Sequence, residues 1–100
     1  MISVVIPALN EEKALPRTLD ALFAQIARYE VVVVDGGSTD RTTRIATRYP
    51  STQVLNAPRG RAAQMNAGAR IATGDWLLFL HADTALEPGW EREIQHVQYR

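Results

Sequence analysis

VVVVDGGSTD, residues 31–40, reads as a buried strand that stops abruptly on turn residues. Four consecutive valines favour extended backbone, and Asp35-Gly36-Gly37 ends the run. The run is unbroken rather than alternating, so both of its faces are predicted to be covered, as in a parallel sheet layered between helices. Toward the N-terminus, Ile2–Ile6 is a second such run, ended by Pro7. Between the two, Leu15, Leu19, Leu22, Phe23 and Ile26 form a single apolar stripe at helical spacing. Toward the C-terminus, Ser38-Thr39-Asp40 offers N-cap oxygens to a second helix carrying Ile45 and Ala46 and closed by Pro50. A short strand around Gln53–Leu55 is followed by an Ala-rich helix from Arg61 to Ala72, with Gly74 placed for a left-handed C-cap. Trp76–Leu80 is the fourth strand, and Pro88 opens a last helical pattern through Trp90, Ile94 and Val97 that is unfinished at Arg100. The predicted fold class is α/β, a mostly parallel sheet with helices on both faces, in one domain over residues 1–100 without repeat or linker.

Composition narrows the function classes. Hydrophobic residues make up 46% of the 100, which fits a globular chain rather than a disordered one. Eleven basic and eleven acidic residues cancel without any block of like charge, which argues against a nucleic-acid surface. Cysteine is absent, so disulfides, thiolate nucleophiles and Cys-ligated metals are excluded and any metal must take O or N ligands. The longest apolar runs are far too short to span a bilayer, and the N-terminus has no charged leader with a cleavage site. A soluble cytoplasmic location is expected, with peripheral membrane attachment left open.

Chemistry is expected beyond the carboxyl ends of the strands, where open parallel sheets bind their ligands. Those segments are polar in an unusual way: Pro7-Ala8-Leu9-Asn10-Glu11-Glu12, Asp35-Gly36-Gly37-Ser38-Thr39-Asp40, Asn56-Ala57-Pro58-Arg59-Gly60-Arg61 and His81-Ala82-Asp83. Glycines admit a close ligand, helix N-termini and Arg attract phosphate, and carboxylates hold a hard cation, which together suit a nucleoside diphosphate with a divalent metal. Each element also has a plainer reading. Asp35 to Ser38 reads equally as a turn and a cap, His81 as a buried histidine with its bonds satisfied, Glu11 and Glu12 as complements to a helix dipole, and Arg59 and Arg61 as solvated loop charges. Their conjunction at one sheet edge favours a site.

The set "VVIPALNEE", "VVVVDGGSTD", "GRAAQMNAGARIATGDWLLFLHADT" and "PGW", in this order and spacing, resembles the N-terminal half of inverting family 2 glycosyltransferases of GT-A fold. Within that family it is most similar to the bacterial subgroup labelled radical-SAM/selenodomain-associated. The resemblance implies a GT-A-like, Rossmann-like half, a UDP- or GDP-linked sugar donor, an acceptor hydroxyl of unknown identity, and Mn²⁺ or Mg²⁺ bridging the diphosphate. By position, Pro7, Ala8, Leu9 and Glu11 match the loop that cradles base and ribose, and Asp35 matches the acidic residue ending the second strand. Gly60, Arg61 and Asn66 match the phosphate side. Asp83 matches the last carboxylate of the metal-binding Asp-x-Asp motif, so Asp83 and His81 are the expected metal ligands, and Gly36 and Ala82 are expected among the nucleotide-sugar-binding residues.

Several positions depart from that family pattern. Gly36 stands where many relatives have a second aspartate, His81 where the metal motif starts with Asp, and Met65 where an Arg often precedes the matching asparagine. The resemblance places the catalytic base beyond Arg100, so the chain is expected to be the donor-binding part of a longer domain. Three other functions compete. A nucleotidyltransferase would carry a Gly-rich loop after the first strand, which is missing here; a dinucleotide-dependent oxidoreductase would carry G-x-G-x-x-G, also missing. A non-catalytic nucleotide-binding or assembly module, forming a homo-oligomer to cover Trp90, Ile94 and Val97, is the non-enzyme alternative.

Overall fold

The computed structural model describes residues 1–24 and 29–84. Strands β1 (Ile2–Ala8), β2 (Tyr29–Asp35), β3 (Thr52–Asn56) and β4 (Trp76–Phe79) alternate with helices α1 (Leu15–Phe23), α2 (Thr42–Ala46) and α3 (Arg61–Ile71). The strands form one sheet in the order β3-β2-β1-β4, and every pairing is parallel. The α/β architecture read from the apolar runs is therefore present. The expected helix through Trp90, Ile94 and Val97, and the last stripe residue Ile26, lie outside the described residues.

Alternation along β1 and β2 assigns the two faces. Val4, Ile6, Val31 and Val33 pack with Leu15, Leu19 and Leu22 of α1 and Ala46 of α2. Val5, Val32 and Val34 point the other way and pack with Leu77 and Ala72, with Ala67 and Ala69 of α3 against them. The valines of both strands are fully buried, which explains why their run shows no polar alternation. Each such side chain contributes roughly 1.5–3 kcal/mol by leaving water.

Three local expectations are corrected. Pro7 does not end β1: it pairs with Val34, and the strand runs to Ala8. Val5 already faces β4, because its carbonyl accepts from the Leu80 amide at 3.0 Å. Pro7, two residues on, turns its nitrogen to the same side, past the last β1–β4 pair at Val5 and Phe79, so its missing N–H costs no ladder bond. Gly74 is not in the left-handed region; α3 ends at Ala72 in extended backbone. Glycine is required at 74 by space, since a Cβ there would come within 2.6 Å of Ser3 Oγ and 2.7 Å of the Met1 carbonyl oxygen. Nor do Ser38 and Thr39 cap α2, whose N-cap position is Arg41 without a side-chain cap bond; both turn instead to the loop after β1.

Helix α3 lies close on the sheet because of a four-residue repeat, Gly60, Gln64, Gly68 and Ala72. Positions four apart share one helix face. Gly68 is in the tightest place, where an added Cβ would sit 2.4 Å from Val5 Cγ1 and 3.0 Å from Val34 Cγ2.

Candidate functional site

The four segments after the strands do gather at one edge, and side-chain hydrogen bonds fasten the segments after β1 and β2 together. The Asn10 amide donates to Ser38 Oγ at 2.8 Å, and Ser38 Oγ donates in turn to Asp35 Oδ1. Asn10 Oδ1 accepts the Thr39 amide at 2.8 Å. A second relay runs beside it: the Glu11 amide donates to Thr42 Oγ1 at 2.8 Å, whose hydroxyl donates to Asp40 Oδ1. Asp40 Oδ2 accepts the Glu12 amide at 3.3 Å, and Oδ1 also takes the Thr42 amide at 2.9 Å. The side-chain bond from Thr42, helped by these backbone N–H groups and opposed by desolvation, holds the Asp40 carboxyl below its ordinary value. The loops after β1 and β2 thus form one framework, in which Asn10 adopts a left-handed φ of 53°.

Asp35 is 4% exposed, and its Oδ2 accepts the amides of Gly37 at 3.0 Å and Ser38 at 2.9 Å. Its carboxylate therefore shapes the turn. The plainer reading of 35–38 as a turn is realised, while the cap half of that reading is not. Glu11 and Glu12 precede α1, which has no acidic residue in its first turn. They line an open indentation with Asn10, Lys13, Ala14 and Asp40, so they do not serve as first-turn dipole partners.

A second, narrower cleft is lined by Pro7, Arg61, Met65, Phe79, Leu80 and His81. It brings together the ends of β1 and β4 with the first turn of α3, and places an arginine and an imidazole on one opening. His81 is exposed, which removes the buried-histidine reading. Arg61 follows Gly60, whose φ of 142° is open to glycine alone at little cost. Asn66 is exposed on α3, and Leu9 is half-buried beside Ala8; neither lines this cleft. Ala82 is 3% exposed and packs in the α1-side core, so its methyl faces the interior. A wider hollow lies at the opposite end of the strands, among Met1, Tyr29, Glu30, Ser51, Thr52 and Gln53, away from the glycines, arginines and imidazole.

The turn that carries His81 and Asp83 is anchored from α1. Thr18 Oγ1, on a residue 2% exposed, lies 2.6 Å from the Ala82 carbonyl oxygen and 3.1 Å from that of Thr84. The Thr84 amide donates to the His81 carbonyl at 3.0 Å, closing the turn. Asp83 is exposed. Among the described residues no group of three or more His, Asp or Glu side chains converges as a metal cage. One carboxylate and one imidazole would suit a divalent cation that completes its shell with phosphate oxygens and water; the carboxylate fits Mg²⁺ or Mn²⁺, and the imidazole fits Mn²⁺ better.

Three buried polar residues were missed in the sequence: Gln64, Thr42 and Thr18. Gln64 lies among alanines, where only its place in the four-residue repeat distinguishes it. Thr18 is joined to Ala82 and Thr84, and Thr42 to Glu11, across long stretches of chain, so neither role has a local signal, although the bond from Thr42 to Asp40 is local.

Comparison with known proteins bears on the fold and the family. A PGL/p-HBAD biosynthesis glycosyltransferase of Mycobacterium bovis is 41% identical over 93 residues, covering 86% of this chain and 36% of the relative. The crystal structure of S. aureus TarS 1–349 in complex with UDP superposes with a TM-score of 0.75 at 31% identity, covering 82% of this chain and 27% of that one. The mannosyltransferase PcManGT from Pyrobaculum calidifontis, in complex with GDP-Man and Mn²⁺, superposes with a TM-score of 0.72 at 32% identity, covering 90% of this chain and 29% of that one. The chain thus spans about a third of the length of the curated relatives it matches. The family model "Glycosyl transferase family 2" matches residues 3–98, and with a polar edge built on a parallel GT-A-type sheet the chain belongs to that family.

Proposed function

We propose that the chain is the donor-binding part of an inverting, metal-dependent glycosyltransferase that takes a UDP- or GDP-linked sugar. The observation that carries this reading is the cleft with Arg61 and His81 on its walls, one turn from Asp83, at the carboxyl edge of a parallel sheet in a family 2 chain. The proposal assigns Arg61 and the first turn of α3 to the diphosphate, whose negative charge they attract. Asp83 and His81 would hold Mn²⁺ or Mg²⁺, which neutralises the diphosphate as it leaves. Pro7, Ala8, Leu9, Glu11 and Gly36 would form the nucleoside side, on the framework held by Asp35.

In the transfer, a bond forms from the acceptor oxygen to the anomeric carbon as the bond from that carbon to the diphosphate oxygen breaks. The acceptor proton goes to a base on the opposite face. We nominate no described residue for that base; it belongs to the remainder of a longer domain. The DGGSTD and LHADT segments further support placement in the radical-SAM/selenodomain-associated subgroup, with work in the cytoplasm or at its membrane face.

Thermal unfolding with UDP, GDP and their sugar conjugates, each with and without Mn²⁺, tests the reading. A ligand that binds only the native state raises the midpoint; at a hundred times Kd the gain is about 2.7 kcal/mol. The expected result is a metal-dependent rise with one nucleotide that disappears in Asp83→Asn. A cooperative transition indifferent to every nucleotide would replace the donor site with a binding or assembly role.

A further inference from the structure

Gln64 is 5% exposed, and its amide spans three separate pieces of backbone. Nε2 donates to the Val34 carbonyl at 2.8 Å and to the Ala8 carbonyl at 3.1 Å, using both of its hydrogens. Oε1 accepts the amide of Gly60 at 3.2 Å. Ala8 ends β1 and directly follows Pro7, which is one wall of the narrow cleft; Gly60 directly precedes Arg61, which lines the same cleft. A single buried side chain therefore joins the strand-end wall to the α3 wall.

The seat of this side chain is made by the absence of another. An added Cβ at Gly36 would lie 2.8 Å from Gln64 Oε1, 2.9 Å from Cδ and 3.0 Å from Nε2. The Gly36 amide also donates to the Ala8 carbonyl at 3.0 Å, so Gln64 cannot shift away without giving up the carbonyl that both residues share. A side chain at 36 would force the Gln64 amide to shift from this seat.

From this geometry we infer that Gln64 is a positioning residue for the nucleotide site. It holds Gly60 and Arg61 at a fixed distance from the end of β1, and Gly36 is glycine to leave it room. The ligand class is a nucleoside diphosphate, so the inference rests on the donor-site reading above. Its role is through Arg61 and the α3 N-terminus, and it does not itself touch the diphosphate.

The test uses the whole chain with three single variants. Gln64→Met keeps the bulk and removes the hydrogen bonds; Gly36→Ala unseats Gln64 without changing it; Ser3→Ala, at the opposite end of the sheet, is the control for lost stability. Amide exchange over residues 57–63 is measured without ligand, and UDP and GDP affinities are measured by calorimetry with Mn²⁺. Both Gln64→Met and Gly36→Ala are expected to speed exchange in that segment and to weaken nucleotide binding roughly tenfold, a difference of about 1.4 kcal/mol. The double variant should be no worse than either single one. Ser3→Ala should lower the melting midpoint while leaving segment exchange and affinity at wild-type values.

Wild-type exchange and affinity in a folded Gln64→Met or Gly36→Ala would overturn the inference, as would an equal loss of affinity in Ser3→Ala at matched stability. If Gln64→Met does not fold, Gly36→Ala decides. Absence of nucleotide binding by the wild type would sink the donor-site reading and the role in ligand placement with it, while the exchange data would still decide whether Gln64 holds the loop.

Discussion

Thr18 on α1 reaches across the core face to Ala82, 64 residues later, with its hydroxyl 2.6 Å from the Ala82 carbonyl oxygen. That carbonyl lies between His81 and Asp83, so the helix sets the place of the turn bearing both proposed metal ligands. Thr18→Val preserves shape and leaves the buried carbonyl without this donor, which costs about 1–3 kcal/mol. Urea denaturation should show the loss, and Thr18→Ser should recover most of it. A Thr18→Val midpoint equal to that of wild type would mean that the turn is held by other contacts.

The approach of α3 to the sheet makes a second prediction. Gly68→Ala puts a methyl 2.4 Å from Val5 Cγ1, and overpacking of this kind costs roughly 1–3 kcal/mol. Val5→Ala alone should also destabilise, by opening a cavity. Combined, the two should cost less than the sum of the singles, because the new methyl enters the space that Val5 vacates. Strict additivity in the double-mutant cycle would place α3 farther from β1.

What could be read in the sequence follows the range of the forces involved. The β-branched runs disclosed β1 and β2 because burial on both faces is a local property of each run. The ends of β2 were read short at Glu30 and Asp35, since these residues pair through backbone and carry no apolar signal, and at Tyr29, which lies beyond Glu30. Ser38 and Thr39 satisfied the local rule for a cap, but the amide and side chain of Asn10 offered bonds the rule does not consider. Gly74 satisfied the local rule for a C-cap, whereas its reason is the backbone of β1 at Met1 and Ser3. Of the expected site residues, Pro7, Arg61 and His81 share a cleft. Gln64, which links two of its walls, was invisible because two of its three partners, the carbonyls of Ala8 and Val34, are brought to it by the fold.

At the far edge of the sheet, Glu30 provides a pH-dependent contribution. Desolvation pushes its carboxyl up, but this is outweighed by hydrogen bonds from the Thr73 amide, Ser3 Oγ and Thr73 Oγ1, and the net effect lowers it from 4.5. A carboxyl lowered on folding contributes stability above its unfolded value, and that contribution fades as pH falls through the folded value. Urea midpoints should therefore drop between about pH 5 and about pH 3, and Glu30→Gln should be less stable at neutral pH with a shallower acid slope. An unchanged acid slope in the variant would assign the acid sensitivity to other carboxylates.

His81 sets the last prediction, on which metal serves the proposed site. A neutral imidazole ligates Mn²⁺ more readily than Mg²⁺, which prefers oxygen. Protonation of the ring would remove it as a ligand altogether, because a metal-binding histidine must be neutral. His81 is exposed on the cleft, so its replacement should not disturb the core. His81→Asp supplies an oxygen ligand and a negative charge at the same position. The Mg²⁺ concentration giving half-maximal nucleotide-dependent thermal stabilisation should fall by roughly tenfold, about 1.4 kcal/mol, with a smaller change for Mn²⁺. His81→Ala should weaken both metals. If Mg²⁺ dependence were the same in wild type, His81→Asp and His81→Ala, the imidazole would have no part in holding the cation, and Asp83 with the diphosphate would have to suffice.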